Sequence, residues 1–91
     1  LRQDTGQLWE NFCMLERKKY NQYARLQKNL YFWRTYDQQE IDLIEEFGGS
    51  LFTFEFKYNA EKAKFPKIFS DTYQGSTFKL INQKNVFELL E

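Results

Sequence analysis

The sequence predicts a mixed α/β domain built on one four-stranded sheet, with elements in the order α-β-β-β-α-β-α. Three observations carry this reading. A β-rich stretch from Leu30 to Tyr58 is cut twice by turn residues, which makes three strands. Apolar residues recur at helical spacing before it. A short helix opened by Pro66 separates the third strand from a fourth, so that connection is a right-handed crossover joining parallel strands. The sheet is therefore mixed, with helices on its faces.

The first helix starts near Gly6, capped by Asp4 or Thr5, and ends between Ala24 and Lys28. Leu8, Trp9, Phe12, Cys13, Leu15, Tyr20, Tyr23 and Leu26 fall on one side and are expected to face the core. Arg17, Lys18 and Lys19 fall mostly on the other. Glu16 projects near the middle of the apolar arc and Glu10 off its edge. Leu30–Tyr36 reads as the first strand, Asp37–Gln39 as a turn, and Glu40–Glu46 as the second strand. Phe47–Ser50 is a hairpin turn, because two adjacent glycines adopt positive φ at no steric cost. Leu51–Tyr58 is the third strand and Asn59–Lys64 a polar loop. The second helix runs from Phe65-Pro66 to about Tyr73 and is ended by Gln74-Gly75-Ser76. Thr77–Asn82 is the fourth strand. Lys84–Leu90 is a short closing helix with Val86, Phe87, Leu89 and Leu90 available for burial.

Ninety-one residues make one domain, spanning 1–91. A core of that size is marginal. The 10 Phe, 6 Tyr and 2 Trp offset this with large buried areas, and Trp9, Phe32, Trp33 and Phe54 are expected to serve that packing. Net charge is zero, which argues against strong unaided nucleic-acid binding. The charge is unevenly spread: +3 over residues 1–29, −4 over 30–58 and +1 over 59–91. There is no histidine, which removes Ser-His-Asp and Cys-His catalysis and nearly every zinc site. The lone cysteine, Cys13, allows no internal disulfide, so a reducing, cytoplasmic compartment is expected, with Cys13 a small core residue. No run of about 18 apolar residues exists, so no membrane span is expected. The chain opens at Leu1, and Met14 is its only methionine, which suggests a piece of a longer protein.

The acidic middle carries the candidate site. A Gly48-Gly49 turn pairs Phe47 with Ser50, and the same register sets Asp42 across from Glu55 and Glu40 across from Lys57. Opposed residues share a face, with Cβ atoms roughly 5 Å apart, and a slip of one residue sends them to opposite faces. Two opposed carboxylates repel unless a proton, a cation or a divalent metal joins them. Asp42 and Glu55 offer oxygen ligands suited to magnesium. Lys57 on the same face could position a water or stabilise charge on a phosphate.

Asp42, twelve residues, then Glu55-Phe56-Lys57 resembles the D…(D/E)xK signature of restriction-endonuclease-like, or PD-(D/E)xK, domains. Gly6-x-Leu8-Trp9-Glu10-Asn11-Phe12, Tyr31-Phe32-Trp33-Arg34-Thr35, Glu40-Ile41-Asp42-Leu43-Ile44 and Phe54-Glu55-Phe56-Lys57 resemble, more narrowly, a C-terminal domain of unknown function. That domain follows the ATPase domain in many prokaryotic AAA-type ATPases. The tail from Phe65-Pro66-Lys67 through Phe78-Lys79-Leu80-Ile81-Asn82 fits it too, so the resemblance covers nearly the whole chain. It implies a Mg²⁺-dependent nuclease fold acting on nucleic acid, with an upstream ATPase domain as partner. Asp42, Glu55 and Lys57 would be catalytic, Asp42 and Glu55 would hold the metal, and Glu40 would support them. A first-helix glutamate often joins such a metal site. Glu10 is the position that matches, and Glu16 is its rival from the helical wheel. The fold's usual Pro-Asp is absent, since Ile41 precedes Asp42. No G-x-x-x-x-G-K-[ST] phosphate loop is present, so ATP binding is not assigned to these residues.

Bland readings stand beside these. Glu10 also suits a first helical turn, where the dipole favours an acid. Glu16 suits an ion pair at the core, with Arg34 as a candidate partner that would equally suit a phosphate. Lys62, Lys64 and Lys67 read as a solvated loop and helix start, or as guides for a nucleic-acid backbone. The alternative function is a non-catalytic interaction or regulatory module.

Overall fold

A computed structural model describes residues 5–91. Helix α1 spans Thr5–Tyr23, strand β1 Asn29–Arg34, β2 Glu40–Phe47 and β3 Ser50–Phe56. Helix α2 spans Lys67–Thr72, β4 Thr77–Ile81, and a closing 3₁₀ helix Val86–Leu90. Asp4, one expected cap of α1, lies outside the described residues. The sheet order is β1-β2-β3-β4, antiparallel across the first two pairs and parallel between β3 and β4. The α2 crossover therefore does what the sequence requires of it. Among the described residues, no helix is long and apolar enough to cross a membrane.

The β2–β3 turn follows from its glycines. Gly48 and Gly49 have φ of 60° and 82°, the left-handed region that side chains disfavour. Phe47 pairs with Ser50 and the ladder runs from there to Leu43–Phe54. Pro66 caps α2 at φ −55°, where its missing N–H leaves no bond unmade.

Each face of the sheet carries a cluster. Cys13, Leu43, Phe54, Phe56, Ile81 and Leu89 pack with Trp9, Met14 and Val86 under α1 and the closing helix. Ile41, Ile44 and Phe69 pack with Trp33, Leu51 and Phe65 under α2. Trp9 also donates its indole N–H to the Ile81 carbonyl at 3.2 Å, which joins α1 to β4. Phe32 departs from expectation. It is 77 % exposed, because β1 is an edge strand and neither helix reaches over it.

The β2 strand contains a bulge. Tyr31 pairs with Ile44 and Trp33 with Ile41, so Phe32 faces two residues, Asp42 and Leu43. Ile41 and Ile44, three apart, consequently sit in the same cluster, while Leu43 joins the opposite one. This irregularity resets which side Asp42 faces.

The largest correction concerns α1. Leu8, Phe12, Leu15 and Tyr23, expected inside, are exposed, whereas Cys13, Arg17 and Asn21 are buried. The cause is Glu45, which is fully buried on β2 beside Leu43. Arg17 donates two bonds to its carboxylate, at 2.9 and 3.0 Å. Asn21 adds one at 3.0 Å and Lys28 one at 2.9 Å. Arg17 also donates to the Leu89 and Glu91 carbonyls, at 2.8 and 2.9 Å. A buried carboxylate without such partners would cost several kcal/mol, so the helix turns its polar stripe inward. Glu16 instead bonds Lys19 near the surface, and Arg34 bonds Glu40 at 2.9 Å.

Burial raises the pKa of Glu45, but hydrogen bonds from Arg17, Asn21 and Lys28 outweigh it and leave the group below its ordinary value. A lowered carboxylate pKa stabilises the fold above the unfolded value, and that stability is lost as pH falls through the folded one. Arg17→Met should cost about 3–5 kcal/mol in urea unfolding at pH 7, because it strands the Glu45 charge. Arg17→Met combined with Glu45→Leu should recover much of that loss and flatten the acid limb of the stability curve. Equal losses in the single and double variants would show that the network is not what holds α1.

Candidate carboxylate and lysine site

The site forms where β2 and β3 part. Their ladder ends at Leu43–Phe54, so Asp42 and Glu55 lie just past the last rung. There the Asp42 carboxylate takes the role of a backbone acceptor and receives the Phe56 N–H at 2.8 Å. Lys57, directly after β3, donates its own N–H to the Ile81 carbonyl at 3.1 Å, which holds it against β4.

Two open hollows flank this end of the sheet. One, of about 450 Å³, is lined by Gly6, Glu10, Glu40, Asp42, Lys57 and Tyr58 among others. The second, of about 400 Å³, is lined by Glu40, Glu55, Lys64, Pro66, Lys67 and Ile68. Asp42 and Glu55 thus do not share one face in the simple way the register implies. The bulge turns Asp42 toward the α1 side, while Glu55 keeps the alternation of β3 and borders the α2 side. The two carboxyls nonetheless lie close enough to share a hydrogen bond.

That contact sets the electrostatics. Glu55 is pushed up to about 8, first by burial, then by its hydrogen bond to Asp42 and the Asp42 charge, with Lys57 opposing. The pair therefore holds a proton at neutral pH. Glu10 is raised by burial, then by Asp42 and Glu40, again against Lys57. Cys13 is pushed up to about 12 by burial, then by Asp42 and Glu10, so its thiol stays protonated and inert. Glu10 is thereby the first-helix acid next to Asp42, while Glu16 pairs with Lys19. Lys57 makes no ion pair among the described residues, and Glu40 is held by Arg34.

Among the described residues, no group of three or more His, Cys, Asp or Glu side chains is disposed to hold a metal ion. The Asp42–Glu55 pair is a narrower fit. Magnesium is commonly held by one or two carboxylates, with waters and substrate phosphate completing its shell. Two acids that share a proton are the donor set a divalent cation would take over by displacing it.

Sequence reasoning passed over Glu45, whose partners aim the helix that carries Glu10. Its signal was present: an acid two residues from Leu43 in an apolar strand, with Arg17 and Asn21 one turn apart on α1. Lys64 borders the Glu55 hollow rather than lying in open solvent alone.

The raised Glu55 predicts a specific pH dependence. The folded chain keeps the proton up to about pH 8, whereas the unfolded chain releases it near 4.5. Stability must therefore fall as pH rises between those values. Glu55→Gln should match the parent in thermal midpoint near pH 4.5 and exceed it at pH 9 by about 5–10 °C. A constant difference across that range would place the Glu55 proton elsewhere.

Comparison with curated proteins finds no match, and comparison with solved structures finds none either. Residues 5–88 match the family model described as "Domain of unknown function (DUF4143)". With nearly all of its length covered by that model, the chain belongs to this family.

Proposed function

We propose that this domain is a Mg²⁺-dependent nuclease-like module that cleaves phosphodiesters in nucleic acid, working beside an ATPase domain in a longer protein. One observation supports this above the others. Asp42 and Glu55 are hydrogen-bonded at the parted end of β2 and β3, and Lys57, which makes no ion pair among the described residues, borders the same hollow as Asp42. Resemblance to restriction-endonuclease-like domains supplies the reaction class.

In this reading Asp42 and Glu55 hold the cation. When bound, it polarises the phosphate and activates a water. Asp42 is oriented by the Phe56 N–H, which fixes one of its carboxylate oxygens. Lys57 orients the attacking water or steadies charge on the phosphate. Glu10 and Glu40 border the same hollow and would bind the waters of the metal's shell. Glu40 is steered by Arg34, which suits a supporting role.

A second reading, a non-catalytic interaction or regulatory module, is favoured by the lack of a three-ligand group among the described residues. Magnesium titration by calorimetry separates the two. The nuclease reading expects an isotherm that releases a proton at pH 7 and is lost in Asp42→Asn. It also expects magnesium-dependent cleavage of DNA or RNA by the longer protein, reduced about 100-fold or more in Lys57→Ala and Asp42→Ala. No isotherm, and equal residual cleavage in all three proteins, would leave the interaction module as the function.

A further inference from the structure

The Glu45 network borders a hollow at the hairpin end of the sheet, away from Asp42 and Glu55. Alternation and register set Glu45, Phe47, Phe52, Phe54 and Lys79 on the α1 face. Helix α1 and the closing helix cover that face incompletely, and a space of about 460 Å³ remains. That volume is within the range of small-ligand pockets. Phe47 and Phe52 line it and are 43 and 38 % exposed, so its walls are aromatic.

Two cations meet one carboxylate in this hollow. The side chains of Arg17 and Lys28 are each only 8 % exposed, and both bond Glu45. The buried cluster therefore carries surplus positive charge, which is costly to hold unpaired. Arg17 has little left to give, since four of its five N–H groups go to Glu45 and to the Leu89 and Glu91 carbonyls. Lys28 has more. Its ammonium carries three donors and makes one hydrogen bond among the described residues, to Glu45 Oε1 at 2.9 Å. It also stands over the Phe47 ring, 5.9 Å from the centroid.

We infer that this hollow binds a small monocarboxylate with an apolar body, its carboxylate on the Lys28 ammonium and its body against Phe47 and Phe52. The anion follows from the surplus charge and the open donors of Lys28. Its single charge follows from the acids around it. Glu88 is held by Lys79 at 2.9 Å. Glu91 is exposed, lines the same hollow and makes no ion pair among the described residues, so it repels a second negative charge. A phosphate dianion or a nucleic-acid backbone is disfavoured for that reason. The apolar body follows from the phenyl walls, and the Thr53 hydroxyl beside them is already given to the Thr77 carbonyl at 2.7 Å. This ligand site is independent of the nuclease reading.

Proton–nitrogen NMR titration of the chain tests it with three probes at pH 7.5: 3-phenylpropionate, its neutral amide, and phenyl phosphate, which is mainly a dianion there. The carboxylate should bind at about 1 mM or tighter and move the amide resonances of Lys28, Phe47 and Phe52. The amide and the phosphate should bind roughly tenfold more weakly. Lys28→Met keeps the Arg17–Glu45 pair and an aliphatic stem, and should weaken the carboxylate about tenfold with near-ultraviolet dichroism unchanged. Glu91→Gln alters an exposed side chain and should strengthen phenyl phosphate about threefold. If Lys28→Met loses its dichroism, the probe series and Glu91→Gln decide. No shifts at the hollow, equal binding of carboxylate and amide, unchanged affinity in a folded Lys28→Met chain, or phenyl phosphate no tighter in Glu91→Gln would each overturn the proposal.

Discussion

A single buried carboxylate sets the geometry of this domain. Glu45 lies at the centre of β2 with no exposure to water, and it is tolerable there only because Arg17, Asn21 and Lys28 surround it with donors. Arg17 also gives its Nη1 hydrogens to the carbonyls of Leu89 in the closing helix and of Glu91 just after it. The network therefore fixes α1 in rotation as well as position. Glu10 lies seven residues before Arg17, two helical turns away on nearly the same bearing. Docking Arg17 on Glu45 necessarily carries Glu10 toward Asp42 and Lys57. A structural ion pair in mid-sheet thus aims an acid at the sheet's end.

The bulge in β2 is the second constraint. Without it, strict alternation from Ile44 would put Asp42 in the α2 layer and Leu43 in the other. One extra residue opposite Phe32 lets Leu43 keep its place over Cys13 while Asp42 turns to the same side. The ladder cannot continue past that point, so β2 and β3 separate. The separation frees the Phe56 N–H for the Asp42 carboxylate, which also shares a hydrogen bond with Glu55. Bulges are frequent at sheet edges and beside active sites because they redirect a side chain in this way.

Much of the fold was legible from local chemistry. Gly48-Gly49 set the hairpin register, Pro66 started α2, and the crossover length required β4 to run parallel to β3. The rotation of α1 was not legible, because periodicity ranks apolar side chains and its answer was Leu8, Phe12 and Leu15. Burial of one acid overrode that ranking, and the information needed was long-range: Arg17 and Glu45 are 28 residues apart. The meeting of Asp42 and Glu55 was reached from sequence by a route the structure alters. Turn register brought them near, but the bulge, invisible to period-two alternation, placed them on either side of an open gap. Glu10 followed Arg17 and could not be chosen over Glu16 until that rotation was known.

Two partly or fully buried glutamates in one small sheet now invite comparison. Glu45 receives four side-chain donations and stays below its ordinary pKa. Glu55, ten residues later, has an aspartate for its hydrogen-bond partner and is pushed up to about 8. The chain can evidently assemble cations around a buried acid, since it does so at Glu45. At the other end of the sheet, Lys57 and Lys64 border the two hollows without bonding to either acid. Packing alone does not call for two acids forced together there, as apolar residues at 42 and 55 would extend the clusters on both faces. Two carboxyls bonded to each other, with no cation between them, are a costlier arrangement than the cation-wrapped acid at Glu45. The contrast between Glu45 and Glu55 therefore bears on function more than the acid-lysine spacing does, because it compares two acids inside one framework.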